Sequence, residues 1–192
     1  MEALLGLLRP LEWTNARLLA AGRAIGVVLI ALMVLAILVQ VFFRYVLNNA
    51  LPWPDEAARF CMLWMTGLMA PTAYRRGGFV AIDMLELALP RTAAALLSLV
   101  LLMISGLVLV VAVQIGWGEI TGFGAKFKTA SLYYPTFDGW EKMPRRFMFA
   151  SLFVGICLLI LVNTELILRS IVRLLGGAER LTPLEAPDLV VE

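Results

Sequence analysis

The chain has 192 residues, 61% of them hydrophobic, a formal net charge of only +2 and no histidine. Soluble domains are about 45–50% apolar, and here the excess falls in blocks, which is the pattern of a membrane protein. The small net charge gives nucleic-acid binding no electrostatic support, and the missing histidine excludes Ser-His catalysis, histidine-held zinc and bis-histidine haem.

Residues 1–22 come first. Leu4, Leu5, Leu8, Leu11 and Trp13 alternate with Arg9 and Glu12, a pattern that suits a helix lying in the membrane interface. Met1-Glu2-Ala3 offers no basic leader ahead of an apolar run, so no cleaved signal peptide is expected. A first span follows at about 24–43, apolar apart from Gln40. Some 20 helical residues at ~1.5 Å each cover the ~30 Å hydrocarbon core.

A second span is expected at about 54–75, with its strictly apolar part at 60–74. Pro54 suits the first helical position, and Asp55 and Glu56 complement the positive end of the helix dipole. Pro71 is placed to kink its far end. Arg75-Arg76-Gly77-Gly78 stops that helix, and Val80, Ile82, Met84, Leu85 and Leu89 read as a short interfacial segment ended by Pro90. The third span, about 93–117, has Ser98, Ser105 and Gln114 as its polar members, and Gly106 would let a neighbouring helix approach closely. The fourth span is about 147–168, with Asn163 and Glu165 near its end.

Residues 118–146 read as the longest loop, rich in aromatic side chains (Phe123, Phe127, Tyr133, Tyr134, Phe137, Trp140) and in lysine (Lys126, Lys128, Lys142). The tail, 176–192, is polar, acidic and proline-containing, with no core-forming pattern. Cys61 and Cys157 both lie in apolar stretches and read as inert buried thiols rather than a disulfide. The fold class is therefore an all-α membrane protein: a four-helix transmembrane domain over 23–175, with interfacial helical segments.

Four spans place both termini on one side. That side carries Arg9, Arg17, Arg23, Arg75, Arg76, Arg91, Arg169, Arg173 and Arg180; the other carries Arg44, Arg59, Lys126, Lys128, Lys142, Arg145 and Arg146. The balance favours cytoplasmic termini. The Arg145-Arg146 pair runs against it, and leaves the basic, aromatic loop with charges to offer a partner.

The densest polar grouping is Arg44, Asn48, Asn49, Trp53, Asp55, Glu56 and Arg59 between the first two spans. Asp55 and Arg59 stand four apart with the acid first, the favourable order on a helix. Three readings remain open: a salt-bridged cap on the hairpin of spans, a subunit or lipid contact, or a substrate or ion site. Tyr74-Arg75-Arg76-Gly77-Gly78 reads as a cationic anchor with a glycine stop, or as a site for anionic lipid or a partner, with Asp83 able to pair with one of the arginines. Gln40, Gln114 and Asn163 are expected to bond between helices, at about 0.6 kcal/mol each. Glu165 is expected at the inner interface. No ionisable residue sits at mid-span, so a translocation path within this chain has no support. Nothing favours an enzyme, and no cofactor or metal is implied.

The stretch from Gln40 to Asp83 resembles the small membrane subunit of TRAP (tripartite ATP-independent periplasmic) transporters. The resemblance is carried by Phe43-Arg44-Tyr45, Asn48, Trp53, Asp55-Glu56, Arg59, Tyr74-Arg75-Arg76-Gly77-Gly78 and Asp83. Phe79 stands where that family often has histidine, and the 118–146 loop is long and basic beside it. The resemblance implies a scaffold subunit in a bacterial inner membrane, bracing a large multi-span subunit in sodium-coupled secondary transport. The substrate would be an organic acid delivered by a periplasmic binding protein. It implies subunit or lipid contacts at Arg44, Trp53, Asp55, Glu56, Arg59, Arg75, Arg76 and Asp83, and a binding-protein contact at Lys126, Lys128 and Lys142. The alternatives are a self-sufficient homo-oligomeric transporter or channel, and a haem-free membrane anchor of a respiratory complex.

Overall fold

The computed structural model describes residues 2–77, 90–136, 139–177 and 181. Its helices are α1 (Glu2–Tyr45), α2 (Trp53–Arg75), α3 (Arg91–Thr121) and α4 (Arg146–Leu174). Asp83, the segment at 80–89 and most of the acidic tail lie outside the described residues.

The first difference from the sequence reading is α1. Residues 2–22 and the first span are one helix of 44 residues, about 66 Å long. Pro10 removes one backbone bond, yet the helix runs through it. Its buried positions are Leu8, Asn15, Leu19, Gly22, Gly26, Ala36 and Gln40. From Asn15 to Gly26 the spacing is four, three, four, and it is four again from Ala36 to Gln40, as in a two-helix seam. Apart from Leu8 and Leu19, the seam is made of small and polar residues, whereas Val27, Val28, Leu35, Leu38 and Val41 are exposed. That inversion is what a lipid solvent selects: apolar side chains face the tails, and small residues let helices approach.

Packing is sequential at first and then crosses over. α2 lies between α1 and α4, and α3 packs on the far side of α4. Close approaches fix the two inner joints. A Cβ on Gly22 would meet the Leu68 carbonyl at 3.2 Å, and one on Gly26 would meet Met69 at 3.1 Å, joining α1 to α2. A Cβ on Gly155 would stand 2.7 Å from the Gly67 carbonyl, and one on Gly67 would collide with the Ser151 carbonyl, so α2 and α4 cross almost backbone to backbone. At Gly106 a Cβ would come within 2.8 Å of Asn163 Nδ2, the close approach expected between α3 and α4.

Among the described residues, three helical segments are long and apolar enough to cross a membrane: Gly6–Tyr45, Thr92–Thr121 and Arg146–Leu174. α2 is not among them: Arg59 lies within its apolar stretch, and Trp64, Thr66, Gly67, Pro71, Thr72 and Tyr74 dilute it. An all-α membrane protein is therefore the architecture, with three described helices of spanning length and composition.

The second difference is the connection between α3 and α4, which reads in sequence as a loop. α3 runs on to Thr121, a 3-10 turn follows (Phe123–Lys126), and the rest is an antiparallel hairpin, β1 (Lys128–Thr136) and β2 (Gly139–Pro144). Gly139 turns the chain with φ +128°, a conformation open to glycine. The register slips between Lys128 and Tyr133, so strict alternation is absent from β1 and the strand signal is hidden.

Candidate functional site

Two polar assemblies lie at opposite ends of the bundle. The first joins α1, α2 and α4 at the end that carries the N-terminus. Its centre is Glu165, whose side chain is fully buried. Arg75 at the last turn of α2 donates to it from Nε (3.1 Å to both carboxylate oxygens) and from Nη2 (2.8 Å to Oε1). Arg169, one turn on in α4, donates from Nε at 3.2 Å. Asn15 of α1 donates from Nδ2 to Oε2 at 2.7 Å and to the Leu161 carbonyl at 3.2 Å. Arg169 then reaches across to Glu12 of α1, with Nη2 2.7 Å from Oε1.

The cluster balances: Glu12 and Glu165 against Arg75 and Arg169. A buried charge is tolerable when paired and hydrogen-bonded, and removal of one partner leaves the other stranded. Glu165 lies roughly 30 Å along α4 from Arg146, about one hydrocarbon thickness. The network is therefore a clasp toward the C-terminal end of α4 rather than at its middle. Toward the middle of the bundle, the Tyr74 hydroxyl donates to Asn163 Oδ1 at 2.6 Å and lies 3.3 Å from Ser105, and Asn163 Nδ2 donates to the Leu102 carbonyl at 3.3 Å. This second layer ties α2, α3 and α4, and Asn163 makes the inter-helix bonds expected of it.

The second assembly is at the other end. Glu56, in the first turn of α2, accepts from the backbone N–H groups of Ala130 (3.1 Å) and Ser131 (2.6 Å) and from the Ser131 hydroxyl (2.6 Å). Ser131 Oγ also lies 2.7 Å from the Pro52 carbonyl. Tyr134 meets Phe147 of α4 edge-on at 6.4 Å. The middle of β1 is thereby held down onto the ends of α2 and α4. Opposite pairs in the ladder share a face, so Tyr133, Pro135, Trp140 and Lys142 look away from the side on which Tyr134 packs.

The sequence-expected residues divide between these ends. Arg75 enters the clasp, with Glu165 as its acid. Arg76 is half-buried at the C-cap of α2, and its backbone N–H donates to the Thr72 carbonyl. Asp83, the partner expected for one of these arginines, is outside the described residues. Glu56 is the hairpin's anchor. Asp55 does not pair with Arg59; the group facing it is Gln40 Nε2, at 3.5 Å. Arg44, Trp53 and Arg59 are exposed, Arg44 lying 5.8 Å from the Tyr45 ring. The salt-bridged cap on spans 1 and 2 is thus replaced by a carboxylate that binds the hairpin. The three lysines are split: Lys142 lies 6.0 Å from the Tyr133 ring, Lys128 faces Glu141 at 3.8 Å, and Lys126 is exposed in the 3-10 turn.

Sequence reasoning passed over Glu12, Asn15 and Arg169. One local signal was present, since Glu165 and Arg169 stand four apart with the acid first. The α1 members had none, because their partners are distant in the chain.

The chain matches the family model of the tripartite ATP-independent periplasmic transporters, DctQ component, over residues 33–173. It belongs to the DctQ family. No curated protein and no solved structure shows a significant match. The DctQ match contains Arg75, Glu165 and Arg169 but begins after Glu12 and Asn15. The α1 half of the clasp is thus contributed by the stretch ahead of the matched segment. A DctQ chain is a transporter component, which fits a structure whose polar groups lock helices to one another.

Proposed function

We propose that this chain is the static scaffold subunit of a TRAP transporter in a bacterial inner membrane. In this reading α2 is the fourth span, both termini are cytoplasmic, and the first turns of α1 lie at the inner surface. A large multi-span subunit carries out sodium-coupled uptake of an organic acid, which a periplasmic binding protein delivers. The observation that carries the reading is the buried clasp of Glu12, Arg75, Glu165 and Arg169 above the tight Gly67–Gly155 crossing. Such a set of joints resists relative motion of α1, α2 and α4, which is what a transporter needs in the part that stays still while its substrate domain moves.

Exposed apolar flanks on α1 and α3 would pack against the large subunit or lipid through dispersion and small-residue contacts. Arg44, Trp53 and Arg59, exposed at the hairpin end, are the candidates for subunit or lipid contact there. Arg76 and Asp83 take that role at the other end. The outward face of the hairpin, with Lys142 between Tyr133 and Trp140, is the surface offered to the binding protein; Lys126 and Lys128 stand at its base.

The test is co-expression with the neighbouring genes, gentle extraction through a tag on this chain, and identification of what accompanies it. A stoichiometric, much larger multi-span protein supports the scaffold reading, and reconstituted uptake should then require sodium. A homo-oligomer that transports alone, or co-purification with a flavin or iron–sulfur subunit, would overturn it.

A further inference from the structure

The hairpin has a consequence for charge. The Phe127 carbonyl accepts from Arg145 N–H at 2.9 Å, and Lys128 stands opposite Pro144 in the ladder. Closure of the hairpin thus gathers Lys126 and Lys128 beside Arg145 and Arg146, which are far apart in sequence. Lys128 has Glu141 at 3.8 Å. No described carboxylate pairs with Lys126, Arg145 or Arg146, and all three are exposed. Arg145 is the N-cap of α4 and Arg146 opens it, with no acid in the first turn. Cations there oppose the positive end of the helix dipole, so their position works against the helix they begin.

The same junction carries bare aromatic rings. Phe123 is 77% exposed and Phe127 51%, and the two meet edge-to-face at 5.2 Å. Trp117, also exposed, lies one turn before the end of α3, against Phe153 at 5.8 Å. α3 is the outermost helix, packed chiefly on α4, and its apolar flank is uncovered. Aromatic rings and cations together at the end of such a helix have the chemistry of the headgroup layer.

We propose that Lys126, Arg145 and Arg146, framed by Phe123 and Phe127, bind the headgroup of an anionic phospholipid. The guanidinium groups offer paired N–H donors to phosphate oxygens, the lysine adds a point charge, and the rings seat in the acyl boundary below. The lipid supplies the negative charge that the first turn of α4 lacks. In the orientation proposed above, this cluster lies on the side that the positive-inside rule leaves poor in Lys and Arg, so a dedicated ligand accounts for its presence there. The site depends on this chain alone and not on any transport partner.

The experiment uses the full chain in nanodiscs of phosphatidylcholine containing phosphatidylglycerol, with lipids retained after gentle release read by native mass spectrometry. The wild type should retain phosphatidylglycerol preferentially. The Lys126→Ala/Arg145→Ala/Arg146→Ala variant should lose roughly a hundredfold of that preference, about fivefold per cation. Lys126→Ala alone should lose about fivefold, which keeps the test open if the triple variant does not fold. Equal retention by wild type and variants would overturn the proposal. So would unchanged retention combined with lost docking of the soluble binding protein, which would assign the cluster to a protein partner. Failure of the scaffold reading would show instead as a missing large subunit in co-purification, with lipid retention unaffected.

Discussion

The two ends of the molecule use the same chemistry, a carboxylate satisfied by several donors, to opposite effect. At one end Glu165 is fully buried and its donors are side chains from three helices. At the other end Glu56 is half-exposed and its donors are two backbone N–H groups and a hydroxyl of one strand. Buried and side chain to side chain, the arrangement fixes helices against one another. Exposed and side chain to backbone, it positions a surface element without entering the core. In the proposed scaffold, the contrast separates the part of the chain that would hold still from the part that would present a face.

Mutations at the clasp should have the largest effect. Glu165→Ala strands Arg75 and leaves Arg169 with Glu12 as its acid, and should cost about 3–5 kcal/mol of stability, read as unfolding in detergent by denaturant or heat. Removing Glu165 and Arg75 together should cost less than the sum of the two single changes, because neither charge is left alone. Strict additivity would contradict the network.

The crossing of α2 and α4 comes next. Gly155→Ala places a Cβ against the Gly67 backbone, which cannot turn aside, and should cost about 1–3 kcal/mol in the same assay. Gly106→Ala meets the end of the Asn163 side chain instead and should cost less. An equal effect at the two glycines would mean that the inner joint has more slack than its geometry implies.

At the hairpin end the effect should be local. Glu56→Ala removes charge-assisted bonds worth about 2 kcal/mol to the hairpin's docking. Hydrogen exchange at the Ala130 and Ser131 amides should quicken by roughly thirtyfold, with little change in global unfolding. A global loss of stability as large as that of Glu165→Ala would erase the distinction between the ends. The smallest effect is expected at Arg44 and Arg59: both are exposed, and alanine at either should alter stability by less than about 0.5 kcal/mol. A loss of co-purified large subunit at unchanged stability would then mark them as contact residues.

Much of the helical frame was legible because lipid demands long apolar runs and leaves charged residues at their ends. The polar start of α2 and the stop at Gly77 could be read from Pro54, Asp55, Glu56 and the Arg-Arg-Gly-Gly stretch. The hairpin could not, since its bulged register and its Tyr-Tyr-Pro run hide the two-residue alternation of a strand. The clasp was half-legible. Arg75 stood out as a cation at a helix end, but its acid could not be chosen from sequence. Asn15 and Glu165 are 150 residues apart, and nothing local links them. Glu56 was singled out for its place in an acidic pair, while its use as a receptor for strand amides became visible only in the fold.

The central claim is that α1, α2 and α4 form a block that does not move during transport. It is tested most directly by spin labels at the exposed positions Leu18 on α1 and Leu174 on α4, with Cys61 and Cys157 replaced by alanine, in the complex with the large subunit. The account predicts one narrow distance distribution, unchanged by sodium, substrate or the binding protein. A distribution that shifts or splits when the transporter turns over would contradict it.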